Sequence, residues 1–265
     1  MKTVFEYEVR AQPRWGYGRP PHADIHALLE DGRDRYRETL VSFLRFGDPV
    51  RGFPVEKTGA SFAYWRNPHF TGLDVVALYS FLALRRPARY LEVGSGHSTS
   101  FARSAISEQG LATRITSIDP QPRAEIDALV DVNVREGLDE TDLEVFDSLS
   151  SGDILLVDGT HRCLTNSDVT VFFVDVLPRL AAGVLVGIHD VFLPLDYPPE
   201  WSDRWYSEQY LLAALLLAPA RRFQFVLPSA FVSRDPELHG ILEPVWSALP
   251  ASVDISGTAF WLETT

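Results

Sequence analysis

The feature that most constrains this chain is a series of short, nearly continuous apolar segments alternating with segments of helical periodicity. The apolar segments are RYLEV (89–93), RITSI (114–118), VNVR (132–135), DILLV (153–157), GVLVGI (183–188), FQFVL (223–227) and TAFWLE (258–263). A strand that is apolar on both faces must be covered on both, and a parallel sheet flanked by crossover helices does this. The intervening periodicity predicts helices at LDVVALYSFLAL (73–84), near 98–109, 121–130 and 140–148, and over 167–180 and 203–218. Residues 71–265 therefore read as a doubly wound α/β domain with a mostly parallel sheet.

Residues 1–70 differ in texture. A short strand and an irregular Arg/Pro/Gly-rich arm precede a helix over 22–46, which Gly47-Asp48-Pro49 is expected to stop. An aromatic loop follows, in which Trp65, Arg66, Asn67 and His69 form either a lid or a cluster packed onto the core.

Composition narrows the partners. With 36 acidic and 24 basic residues the formal charge is −12, which disfavours nucleic acid and anionic membrane surfaces. Cys163 is the single cysteine, so neither an internal disulfide nor a cysteine metal cluster is available. No apolar signal segment follows the N-terminus, and LLAALLLAPA (211–220) is about half a membrane span. A soluble, cytoplasmic protein acting on a small molecule is expected. The apolar helix at 211–218 and the aromatic N-terminal segment offer surfaces for a homo-oligomer.

In doubly wound sheets ligands sit beyond the carboxyl ends of the strands. The first strand ends in Glu92-Val93-Gly94-Ser95-Gly96-His97-Ser98-Thr99, a glycine turn running into a helix N-terminus. Such a turn is either a cofactor loop or a plain tight turn. Thr99 stands where a dinucleotide fingerprint has its third glycine, which counts against a pyrophosphate site. Asp119 ends the second strand, where an acid can accept both hydroxyls of a ribose or cap a following helix. The other polar strand ends are Asp158-Gly159-Thr160-His161 and His189-Asp190. His161 and Asp158 can act together as base and orienting acid, or simply hydrogen-bond each other. Asp158, Asp190 and His189 can converge on a divalent ion; all-oxygen donors favour magnesium, and an imidazole shifts preference toward transition metals.

YLEVGSGHST followed by ITSIDP resembles the cofactor half of class I S-adenosylmethionine-dependent methyltransferases, and DGTHR…GVLVGIHD is similar to the group that includes macrolide-sugar O-methyltransferases. The resemblance implies a Rossmann-like sheet of seven strands, the last antiparallel. It also implies that Gly94, Ser95 and Gly96 line the methionine part of S-adenosyl-L-methionine, with Glu92 reaching its amino end through the loop or water. Asp119 would hold the ribose, and Ser98, Thr99 and Asp158 complete the cofactor set. In metal-dependent members an aspartate after one strand and an acidic pair after the next hold magnesium, beside a histidine base. Asp158, Asp190 and His161 match that pattern, whereas His189 stands in place of the first acid of the pair.

The expectation is an S-adenosylmethionine-dependent methyltransferase acting on a hydroxyl of a small molecule or sugar-containing natural product, with His161 as general base. Two alternatives are a dinucleotide-dependent oxidoreductase, which the missing third glycine and the scarcity of lysines (only Lys2 and Lys57) disfavour, and a non-catalytic binding protein of the same fold.

Overall fold

A computed structural model describes residues 10–59, 61–122, 125–219 and 223–265. The strand expected near the N-terminus lies mostly outside the described residues. Seven strands form one sheet: β1 (Arg89–Val93), β2 (Arg114–Ile118), β3 (Val132–Val134), β4 (Ile154–Val157), β5 (Leu185–Ile188), β6 (Phe223–Pro228) and β7 (Phe260–Thr264). Their order is β3-β2-β1-β4-β5-β7-β6. β1 to β5 pair in parallel and β7 runs antiparallel between β5 and β6. Every residue of β4 and β5 is buried, as the unbroken apolar sequences ILLV and LVGI require of central strands.

The N-terminal segment forms α1 (Ala23–Glu30), α2 (Arg33–Phe43) and α3 (Gly47–Arg51). The single helix expected over 22–46 is thus broken, because Asp31-Gly32 are poor helix formers and Gly32 caps α2. Gly47-Asp48-Pro49 starts a helical turn instead of ending one. Pro49 falls in the first turn, where its missing N–H has no partner to lose. Ile25, Leu29, Tyr36, Leu40 and Phe43 join the same apolar core as the sheet.

α4 (Gly72–Arg85) is buried on almost every side, which explains its apolar sequence all round. α5 (His97–Glu108) follows the glycine turn as expected. The helix expected at 121–130 is reduced, among the described residues, to one 3₁₀ turn at Asp127–Leu129. That expected at 140–148 shrinks to α6 (Glu144–Asp147). The helix expected at 167–180 is α-helical only over α7 (Asp168–Val171), then widens to a π turn at Phe172–Val176 and tightens at Leu177–Arg179. Pro178 cannot donate to the α ladder, so the hydrogen bonding rearranges around it. α8 (Glu208–Leu217) starts later than expected, after a 3₁₀ stretch at Pro199–Arg204. Three short helices were not legible: α9 (Ser229–Arg234), α10 (Pro236–His239) and α11 (Glu243–Trp246). Each spans about one turn or a little more, too short for a periodic signal. No helix among the described residues is long and apolar enough to cross a membrane.

Candidate active site

The loop after β1 can turn back on itself because Gly94 adopts φ 81°. A Cβ built there would lie 1.9 Å from the carbonyl oxygen of Asp158, so β1 and β4 leave no room for any other residue. Gly94→Ala is therefore expected to cost about 1–3 kcal/mol in backbone strain alone. It should also deform the loop, which thermal melting and a cofactor titration would both register.

Asp119 fixes the next residue of this loop. Its carboxylate accepts the backbone N–H of Ser95 at 2.7 Å and that of Gln121 at 2.8 Å. A carboxylate has about four lone-pair sites, so two remain for ligand hydroxyls. The Ser95 and Ser117 hydroxyls share a further hydrogen bond. Val93, Gly94, Ser95, Asp119, Leu138, Asp158 and Thr160 all border one cavity of about 560 Å³ at the carboxyl ends of β1, β2 and β4. Its size suits a small-molecule cofactor.

Glu92, Gly96, Ser98 and Thr99 do not border that cavity. Glu92 is completely buried beneath the loop, where it accepts hydrogen bonds from Tyr90 (2.9 Å), Ser98 (3.2 Å) and Thr99. The Thr99 hydroxyl in turn accepts the N–H of Gly96 at 3.0 Å. The direct cofactor contact expected of Ser98 and Thr99 is thus replaced by a supporting one, because their hydroxyls are drawn down to the buried carboxylate. Burial pushes Glu92 up to about 7 against the opposing pull of these hydrogen bonds. His97 hydrogen-bonds the carbonyl of Phe62 at 2.8 Å. Trp65 and Asn67 are buried, Asn67 bracing its own turn, so they pack onto the core and do not form a lid.

Beyond β4 the loop carrying Asp158 and His161 is pinned by Asp168, which accepts from Thr160 N at 2.6 Å and Thr160 Oγ1 at 2.5 Å. Ser167 caps the helix that follows, its side chain accepting the N–H of Thr170. His161 is 2% exposed, and both its ring nitrogens face carboxylates. Nδ1 lies 2.8 Å from Glu208 Oε2; Nε2 lies 3.1 Å from Asp158 Oδ1 and 3.5 Å from Asp190 Oδ2. Burial alone would lower its pKa, but the hydrogen bonds to Asp158 and Glu208 outweigh burial and hold it well above the ordinary histidine value. Burial raises Glu208, only partly offset by His161. Asp158 is lowered in spite of burial, by the charge of His189 and the hydrogen bond from His161. Both ring nitrogens are thus engaged by carboxylates, which leaves neither open to a substrate proton. The simple general-base role expected of His161 therefore does not follow from this arrangement.

His189, buried at the end of β5, faces Asp158, Asp190 and Asp74. Its pKa too is raised, the neighbouring Asp158 and Asp190 charges overcoming burial. Donor atoms of Asp158, His189 and Asp190 all lie within 4.8 Å of one another, so the trio expected to converge does so. Asp74 and the pairing of Glu208 with His161 were not foreseen. Asp74 did leave a signal, as the one acid in the otherwise apolar run LDVVALYSFLAL.

With this geometry in place, the family comparison is specific. Residues 91–191 match a family model described as a methyltransferase domain. Over those residues the chain is similar to a methyltransferase domain. The matched segment begins within the strand that leads into the glycine turn and ends just past Asp190, so it spans Gly94, Asp119, Asp158, His161 and His189. The seven-stranded sheet with an antiparallel β7 agrees with the class I resemblance of the sequence. No curated protein sequence matches the chain. Similar solved structures include an O-methyltransferase from Bacillus cereus in complex with SAH (13% identity, 86% of this chain and 90% of that one, TM-score 0.44). Another is the SAH-bound Podospora anserina methyltransferase PaMTH1 (14%, 84% and 88%, 0.44). A third is the plantazolicin methyltransferase BpumL in complex with SAH (13%, 91% and 99%, 0.40).

A second cavity of about 710 Å³ adjoins the first, sharing Arg162 and Leu164 with it. Its walls include Arg14, Asp196, Tyr197, Trp201, Tyr206 and Tyr210. Asp196 is already committed, accepting from Arg14 N at 2.7 Å and from the Tyr210 hydroxyl. The Tyr206 ring lies 4.6 Å from that of His161, so this aromatic wall touches the carboxylate–imidazole cluster.

Proposed function

We propose that the protein transfers the methyl group of S-adenosyl-L-methionine to a hydroxyl oxygen of a small, ring-containing acceptor. The observation that carries this is the shared wall of Gly94, Ser95, Asp119 and Asp158 in the cavity beyond β1, β2 and β4. The Gly94-Ser95 backbone can approach the methionine end closely, and the spare lone pairs of Asp119 suit the ribose hydroxyls. The cofactor supplies an already activated methyl group. The chain's own task is then to bring acceptor oxygen and methyl carbon into line, an effect worth roughly 7–11 kcal/mol.

The aromatic cavity suits the acceptor: its tyrosines and tryptophans offer flat apolar faces, while Arg162 stands at the boundary with the cofactor. Asp158 belongs to the cofactor wall and touches the His161 cluster, which makes it the group best placed to meet both reactants. His161, clamped by Asp158 and Glu208, is assigned here to hold that carboxylate in position and to balance its charge.

Calorimetric titration with S-adenosyl-L-methionine tests the cofactor reading. Micromolar binding is expected, weakened at least tenfold by Asp119→Ala in a variant that still melts cooperatively. Absence of heat at concentrations where ~100 μM affinity would register defeats it.

A further inference from the structure

One buried atom in the cluster beyond β4 and β5 has no hydrogen-bond partner. His189 is 4% exposed, and its Nδ1 is unpaired. That nitrogen faces Asp158 Oδ1 at 3.3 Å and Asp190 Oδ1 at 3.6 Å. An unpaired buried polar atom is costly and calls for a partner. The other side of the ring is backed by acceptors: Nε2 lies 3.4 Å from Asp74 Oδ2 and 3.4 Å from Thr258 Oγ1.

Asp74 is 1% exposed and fixed by the backbone N–H groups of Thr258 (2.6 Å) and Ala259 (3.0 Å). A carboxylate held behind Nε2 favours the ring proton on that side. In the neutral ring, the form that binds a metal, the Nδ1 lone pair is then directed at Asp158 and Asp190. Phe70 stacks on the ring at 5.2 Å and holds its plane. A carboxylate behind one imidazole nitrogen and open donors before the other is the usual support of a metal-bound histidine.

We propose that Asp158, His189 and Asp190 bind a first-row transition ion, with Asp74 as the positioning residue that orients His189. Two ligands each about 2.1 Å from one ion stand about 3.0–3.4 Å apart at tetrahedral to octahedral angles. The 3.3 Å and 3.6 Å separations are at or near that range. Magnesium, the ion implied by the sequence resemblance, is the poorer fit. It takes oxygen donors and keeps several waters, whereas here the buried central donor is nitrogen. The competing account is a closed ion-pair network in which a charged His189 serves Asp158, Asp190 and Asp74 and no ion enters.

The full chain, stripped with a chelator and dialysed, is titrated with cobalt(II) and with magnesium in the absence of any cofactor. Calorimetry and the visible cobalt bands are followed. One cobalt per chain at micromolar affinity is expected, with magnesium at least 100-fold weaker. His189→Ala should abolish the saturable cobalt bands. His189→Glu, an all-oxygen variant, should narrow or reverse the preference, and it keeps a buried polar partner should the alanine variant not fold. Asp74→Asn should weaken cobalt about 10–100-fold. No saturable cobalt signal, equal affinity for the two ions in the unsubstituted protein, or unchanged cobalt binding in both His189 variants would overturn the proposal. Because no cofactor is present, failure here leaves the methyltransferase reading untouched, and failure of the cofactor titration leaves this result standing.

Discussion

His161→Ala is expected to lower the unfolding free energy by about 3–5 kcal/mol, read from denaturant titration with a chelator present. The size follows from what the ring leaves behind. Glu208 is 1% exposed, and its Oε1 already lacks a partner. Without His161 its other oxygen loses the 2.8 Å contact as well, and Asp158 loses a donor at 3.1 Å. Removing one member of a buried ion pair costs far more than the pair contributes, because the survivor remains desolvated and unpaired.

A double variant separates this from a generic packing loss. His161→Ala combined with Glu208→Gln should recover part of the deficit, giving a coupling energy of about 0.5–3 kcal/mol between the two positions. A residue acting only as a proton acceptor would instead give a variant with an unchanged denaturation curve. Once an acceptor is known, its turnover would fall by about 10²–10⁴. Unchanged stability would therefore restore the general-base role that the sequence suggests for His161. This experiment needs no acceptor, which makes it the more direct discriminator.

The parts of the site legible in the sequence are those fixed by chain position. Gly94, Asp119, Asp158, His161, His189 and Asp190 all follow strands whose apolar runs are unmistakable, and the doubly wound topology brings those strand ends together. What escaped is set by contacts between distant segments. Asp74 is 115 positions before His189, and Glu208 is 47 beyond His161; only the fold, which sets Asp74 of α4 beside His189 and Glu208 of α8 beside His161, brings them near. The surroundings of His161 escaped for the same reason, since an ordinary histidine pKa assumes none of the buried neighbours that the fold supplies. Ser98 and Thr99 were expected among the cofactor-binding residues, but their hydroxyls answer to Glu92 below and leave the cavity to the backbone. Helices failed where proline interrupts the ladder, as at Pro178, or where one turn is too short to show a period, as in α9 to α11.

Glu92 makes the stability of the protein fall as pH rises through the acid-to-neutral range. Burial lifts its pKa from 4.5 to about 7 in the folded chain. Between those values the unfolded chain has lost this proton while the folded one retains it, so each step up in pH favours unfolding. The contribution is complete below about 4.5, is lost progressively up to about 7, and levels off above. A shift of that size corresponds to roughly 3 kcal/mol. Glu92→Gln cannot ionise, so the stability of the unsubstituted protein relative to this variant should decline by roughly 3 kcal/mol between pH 4.5 and pH 8. Any constant offset from altered hydrogen bonding to Tyr90, Ser98 and Thr99 cancels in that comparison. Parallel curves for the two proteins would mean that Glu92 is ionised throughout and that its three hydroxyl donors outweigh burial. Saturating S-adenosyl-L-methionine should flatten the decline if, as proposed, its cationic amino end rests on the Gly94-Ser95 turn and so favours a negative charge beneath it. Flattening by cofactor, absent with adenosine alone, would tie the buried carboxylate to the methionine end of the ligand across the loop that separates them.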